Sequence, residues 1–335
     1  MSSTSIGDLS HGFLTRRRNA VLKTQMARLT KELSTGRSAD VTRQLSGSLG
    51  RLADVEHRHQ MATAIKTATD EAALFTTSMQ SALDLTKTQL EDVGAAAALA
   101  QTSPGPILRN SASEMAKGAL DSIVSALNTT VAGRALFAGT DVSGAALEGS
   151  ETLIAAARAA VSGATDVATF TAALDLFFDA GGGFETAIYQ GGTDDLAPFQ
   201  LGDGQSVQLS LRADAPAFRD VFKQLLTIRL ADDLSVTMSE TSRNTLLTQA
   251  GASLLTDVDD VVRIQADLGY AQERIERASV RAAAELTSLD YARNELISVD
   301  PFDTASELEN VQFQLETLYT VTARSSRLNL LNFLS

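Results

Sequence analysis

A chain of 335 residues with a net charge of −13 and no cysteine excludes disulfides, thiolate catalysis and Cys-based metal sites. The acidic balance also opposes electrostatic binding to nucleic acid or to an anionic membrane surface, so neither is expected as a partner. Aromatic residues are only 5% and tryptophan is absent, as suits long helices with small side chains at their contacts, while the length allows two or three domains.

Within residues 6–14 the apolar run is interrupted by Asp8, Ser10 and His11, and the basic run Arg16, Arg17, Arg18 follows it instead of preceding it. No cleavable signal peptide is visible there, and nowhere do eighteen apolar residues stand in a row, so a membrane span is not expected. Leu22, Met26, Leu29 and Leu33 then form one helical stripe that breaks near Ser34, Thr35 and Gly36. Residues 1–45 are read as an N-terminal assembly segment.

A second helix begins near Ser46, with Leu49, Leu52, Val55, Ile65, Ala68, Ala72, Phe75, Met79, Ala82, Thr86, Leu90 and Val93 at spacings that favour a coiled coil. The turn Ser103-Pro104-Gly105-Pro106 stops it. A third helix, with Met115, Leu120, Ile123, Leu127 and Val131, folds back antiparallel, and residues 46–139 make an N-terminal helical core. The Met and Phe positions on these stripes, Met26, Phe75, Met79 and Met115, are read as core or seam.

Beyond Phe137 glycines crowd in, at Gly139, Gly144, Gly149, Gly181-Gly182-Gly183, Gly191-Gly192 and Gly202-Asp203-Gly204. Residues 140–217 read as a small, outward α+β insert, with short helices over 152–161 and 167–178. A half-buried strand over 206–211 places Val207, Leu209 and Leu211 on one face. Because Phe137 leaves the helical core and Phe218 re-enters it, the insert's ends are expected close together, and its removal is expected to spare the helices.

Helical spacing returns at Val221, Leu225 and Ile228 and continues through Leu254, Val258, Val261, Gln265, Leu268, Gln272 and Ile275 to Leu286, Leu289 and Leu296. Residues 218–299 are thus a C-terminal helical core, and Asp300-Pro301-Phe302 breaks it. Thr304-Ala305-Ser306-Glu307 has the spacing of a capping box that starts a last helix, residues 300–335. Leu308, Val311, Leu315 and Leu318 step along it by three and four, and Leu328, Leu330, Leu331, Phe333 and Leu334 extend the apolar surface. An apolar helix in this position needs something to dock on. The predicted class is mainly α: a long antiparallel bundle or coiled coil built from the N- and C-terminal blocks, carrying the insert.

Chemistry-bearing residues are sparse. Glu56, His57 and His59 lack the i, i+4 geometry of a zinc helix, and His11 stands alone. The pairs Asp194-Asp195, Asp232-Asp233 and Asp259-Asp260 read as solvated carboxylates, and Leu201-Gly202-Asp203-Gly204-Gln205 as a hairpin turn instead of a dinucleotide loop. Arg16, Arg17 and Arg18 read as an exposed flank or subunit contact. No catalytic, cofactor-binding or metal-binding residue is nominated, no cofactor is expected, and the chain reads as a non-enzyme.

Four segments resemble the flagellin superfamily. Leu29-Thr30-Lys31-Glu32-Leu33-Ser34-Thr35-Gly36-Arg37 is similar to the family's ending of its first helix. Gly133-Arg134-Ala135-Leu136-Phe137-Ala138-Gly139-Thr140 and Tyr189-Gln190-Gly191-Gly192 resemble elements of its hook-filament junction branch. The set Gln312, Leu315, Tyr319, Val321, Leu328, Leu330, Leu331, Asn332, Phe333 and Leu334 resembles its C-terminal helix. The resemblance implies unfolded export by the flagellar type III apparatus with a dedicated chaperone. It further implies a homo-oligomeric extracellular ring between a neighbouring hook-associated protein and flagellin. Leu22, Met26, Leu29 and Leu33, with Leu308, Val311, Leu315, Leu318, Leu328, Leu331, Phe333 and Leu334, would be its assembly and chaperone contacts. Flagellin itself, the filament subunit, is the nearest alternative, and a cytoplasmic coiled-coil scaffold is permitted by the stripes alone.

Overall fold

The computed structural model describes residues 6–45, 49–102, 105–202, 204–233 and 237–334, with the side chains of residues 6–9, 11 and 325–334 outside that description. Long helices dominate: α1 (Ile6–Thr35), the short α2 (Val41–Gln44), α3 (Leu49–Thr102), α4 (Pro106–Leu127), α5 (Ser150–Val161), α6 (Val167–Phe178), α7 (Pro216–Leu230), α8 (Glu240–Ile297) and α9 (Pro301–Leu334). Two small antiparallel hairpins complete them, β1 (Thr130–Val131) with β2 (Arg134–Ala135), and β3 (Phe199–Gly202) with β4 (Gln205–Val207). The fold is mainly α with a small β component, as the spacing predicts. Ser46, Ser103 and Pro104 lie outside the described residues.

The chain divides into two compact units, Met1–Thr63 with Ala283–Ser335, and Ala64–Ala282. In the second unit α3 and α8 run antiparallel, since Ala97 meets Gly251 and the Gln265 amide donates to Asp84 Oδ1 at 2.5 Å. Their facing stripes supply Phe75, Met79, Leu90 and Val93 from α3 and Leu254, Val261, Leu268 and Ile275 from α8, all buried. The small side chains of Ala72, Thr76, Ala82 and Thr86 are buried between them, and each threonine hydroxyl donates to a carbonyl one helical turn back. Such residues let helix backbones approach without leaving polar groups unpaired. Helix α4 begins with Pro106 at its first position, where a missing amide costs nothing, and packs Ala112, Ala116, Leu120 and Ile123 inward. Met115, by contrast, points out, because the buried stripe of α4 runs through alanines.

The glycine-rich stretch does not form a core of its own. Phe170 and Leu174 of α6, Phe184 of a π-helical turn (Phe184–Ile188), Leu201 and Val207 belong to the same buried cluster as Phe75, Leu120 and Phe222. The rings of Phe137 and Phe218 meet edge to face with centroids 6.1 Å apart, so the chain does leave and return at one place. Strand β4 ends at Val207, short of the predicted 211, although Leu209 is still buried. The hairpin lies on α3 and α8, with Phe199 against Phe75 at 5.7 Å and Arg274 Nη2 donating to Ser206 O at 2.8 Å.

Candidate functional site

In the first unit α1 and α9 lie along each other, and the pattern of their apolar residues decides which faces meet. Leu22 and Leu29 of α1, one heptad apart, bury against Val311 and Leu315 of α9, with Leu308 and Leu318 packed at the margin. Four residues of the predicted assembly set are therefore partnered within this chain. Met26 and Leu33, from the same α1 stripe, stay outside the seam at 36% and 39% exposure. Spaced by four, three and four, all four residues of the stripe occupy equivalent a/d positions, so the spacing alone does not separate the two that bury from the two that stay at the margin. Leu328, Leu331, Phe333 and Leu334 lie where the side chains are outside the described residues.

The turn that ends α1 fastens the pair at one end. Gly36 takes φ +67°, which closes the helix with its amide donating to Glu32 O at 2.8 Å. Its carbonyl then accepts from Val299 N at 3.1 Å, and Ser38 N donates to Ile297 O at 2.8 Å, giving an antiparallel bridge between Arg37 and Ser298. The buried Glu32 carboxylate accepts from Ala39 N at 3.0 Å, and Gln44 Nε2 donates to Ser298 O at 2.8 Å. Glu32 is not among the apolar positions that define the stripe of α1, so the stripe does not mark it as buried. Helix α9 starts one turn before the predicted capping box. Asp300 Oδ1 accepts from Phe302 N (2.8 Å) and Asp303 N (3.2 Å), Pro301 takes the first position, and Thr304 donates its hydroxyl to Asp300 O instead of capping.

Beside the seam runs a groove of about 760 Å³ lined by Lys23, Met26, Thr30, Gln312, Leu315 and Tyr319. Tyr319 is 47% exposed, and Val21, Phe313 and Val321 on the same two helices are also exposed. The pair thus presents apolar side chains that it does not itself cover.

No group of three or more metal-ligating side chains occurs among the described residues. His59 Nε2 lies 3.2 Å from Asp290 Oδ1, and Glu56 pairs with Arg293 at 3.5 Å. Several carboxylates read as solvated are ion-paired: Asp232 with Arg109 (3.3 Å) and Arg243 (3.0 Å), Asp233 with Arg158 (2.9 Å), and Asp195 with Arg212 (3.1 Å). They pin the segments around α7 and the insert, a structural duty that pair spacing alone does not reveal. No helix among the described residues is long and apolar enough to cross a membrane.

Two more of the quoted segments come together in the second unit. Ala132 and Gly133 take φ of +52° and +77°, the two-residue turn that lets β1 and β2 pair. Arg134 then pairs with Glu71 and lies over the Phe75 ring at 5.2 Å. Downstream, Ala138 O accepts from Gly192 N at 2.8 Å and Thr140 N donates to Asp194 O at 3.0 Å, while the Tyr189 hydroxyl donates to Gly192 O at 2.9 Å.

Residues 256–334 match the sequence model of the family described as the bacterial flagellin C-terminal helical region. Among solved structures the chain is similar to a Vibrio parahaemolyticus protein assigned to the flagellar hook-associated proteins, at 12% identity and a TM-score of 0.51, over 75% of this chain and 99% of that one. It is similar to FlgL of Bacillus cereus at 14% identity and a TM-score of 0.50, over 70% of this chain and 96% of that one. No curated protein sequence matches it. Identities this low carry the fold, which is shared across nearly the whole length of both structures.

Proposed function

We propose that this chain, a member of the flagellin superfamily by its C-terminal region and its fold, is a non-catalytic structural subunit of the bacterial flagellum at the junction of hook and filament. The observation that carries the reading is the pairing of helices from opposite ends of the chain, which leaves an apolar groove along their flank. A subunit built so can gain in an assembly the burial that it lacks alone, roughly 1.5–3 kcal/mol for each large apolar side chain covered. The same surface would suit an export chaperone before assembly. A closed ring, in contact with a neighbouring hook-associated protein and with flagellin, is the arrangement this role requires outside the cell.

Antibody labelling of purified flagella tests it. Label confined to the hook end of the filament is expected. Label along the whole filament would instead make the chain a filament subunit, and label absent from flagella but present in the cytoplasm would make it a scaffold protein.

A further inference from the structure

Asp257 stands on the buried seam of α8, three residues after Leu254 and four before Val261, both of which are fully buried. It is itself only 6% exposed, and its Oδ2 has no hydrogen-bond partner among the described residues. An ionised carboxylate in such a place loses its hydration without replacement, which strongly disfavours the charge.

The charged groups around it do not supply a committed counterion. Helix α7 presents Asp220 and Lys223, and α8 presents Asp260. Lys223 Nζ is already held at 2.8 Å by Asp175 Oδ1 of α6, and Asp260 is held at 2.7 Å by Arg263. The antiparallel register of α3, set where Ala97 meets Gly251 and Asp84 meets Gln265, brings Glu91 and Asp92 to this level. Both are exposed, and Glu91 has Lys87 beside it at 3.5 Å. Asp220 and Asp260 thus act on Asp257 in the same direction as its burial, and Lys223 opposes them.

We infer that Asp257 is a protonated carboxylic acid in the folded protein, so that formation of the helical core of residues 64–282 takes up a proton. Burial is the chief cause, Asp220 and Asp260 add to it, Lys223 opposes it, and together they push Asp257 from 3.8 up to about 7. Between those two values the folded chain holds a proton that the unfolded chain has released. Stability therefore falls as pH rises through this window, the penalty is complete above about 7, and it vanishes below about 4, where both states are protonated. The consequence is a core that closes more firmly in mildly acidic than in alkaline surroundings, independently of the role proposed for the terminal helices.

Urea unfolding of the full chain and of Asp257→Asn, followed by circular dichroism from about pH 5 to about pH 8, reads the proton directly. The ratio of folded to unfolded wild-type protein should fall by up to about tenfold per pH unit across the window relative to Asp257→Asn, which should be the more stable of the two at about pH 8. Identical slopes in the two proteins would overturn the inference. Should Asp257→Asn fail to fold, the double variant Asp220→Asn with Asp260→Asn serves instead. By removing two like charges it should move the end of the slope to lower pH, and a wild-type stability that does not fall between about pH 5 and about pH 7 would equally refute protonation at Asp257.

Discussion

Gly36 and Gly139 both take left-handed backbone, at φ +67° and +59°, yet their surroundings differ. A Cβ on Gly36 would enter open space, so Gly36→Ala is charged only for the backbone, about 1–2 kcal/mol. At Gly139 the same atom would collide with the Asp194 carbonyl and come within 3.0 Å of the Gly192 carbonyl and the Arg212 side chain. Neither carbonyl can yield without breaking the Thr140 N to Asp194 O or the Tyr189 hydroxyl to Gly192 O hydrogen bond. Overpacking of this kind adds about 1–3 kcal/mol. Chemical denaturation of the two variants should therefore rank Gly139→Ala well below Gly36→Ala in stability, and equal costs would show that the close approach at Gly139 is easily relaxed. Sequence alone places both glycines in turns. It cannot separate them, since the distinction lies in a backbone that arrives from fifty residues downstream.

At the scale of elements, α1 and α9 separate two kinds of apolar residue that one stripe runs together. Leu315 is buried between the helices, whereas Met26 and Tyr319 lie beside the seam and remain accessible. Leu315→Asp should unpair α1 from α9, because an unpaired carboxylate there costs several kcal/mol in addition to the lost contact. Its far-ultraviolet dichroism should lose helix while the core of residues 64–282 keeps its unfolding transition. Met26→Asp combined with Tyr319→Asp should leave the dichroism unchanged and abolish incorporation into flagella. If the double variant still assembles, the groove is not an assembly surface. The long stripes of α3 and α8 are legible in sequence because they repeat for many turns, and Phe75, Met79, Leu90, Leu254 and Leu268 all fall inside. Asp257 escapes the same reading because a stripe is scored by its apolar members. With Leu254 and Val261 fixed, the heptad passes through 257, and Val258, assigned to the stripe, is only half-buried. The start of α9 is misplaced by one turn for a similar reason, since Asp-Pro is a stop signal and also a helix entrance, and spacing alone does not choose.

Across the whole chain, the consequential difference from a composition-based reading is that the glycine-rich stretch is not a detachable ornament. Its compositional break is real, and its ends do meet at Phe137 and Phe218, which by themselves would make a short bypass cheap in loop entropy. Yet Phe170, Leu174, Phe184, Ile188 and Val207 are buried in the same cluster as the helices, and Phe184 stacks on Phe222 of α7 with centroids 5.8 Å apart. Replacing residues 140–215 by a Gly/Ser linker would uncover Phe137, Phe218 and Phe222, each now fully buried. Losing that coverage forfeits roughly 1.5–3 kcal/mol per side chain, a sum comparable with the whole stability of a typical domain once the insert's own contacts are included. Hydrogen exchange on the truncated chain should show α4 and α7 losing most of their protection, and the protein should bind an apolar dye or self-associate through the exposed phenylalanines. Full protection of both helices in the truncated chain would mean that the insert only rests on the bundle, and that its outward placement in an assembly could vary without cost to the core.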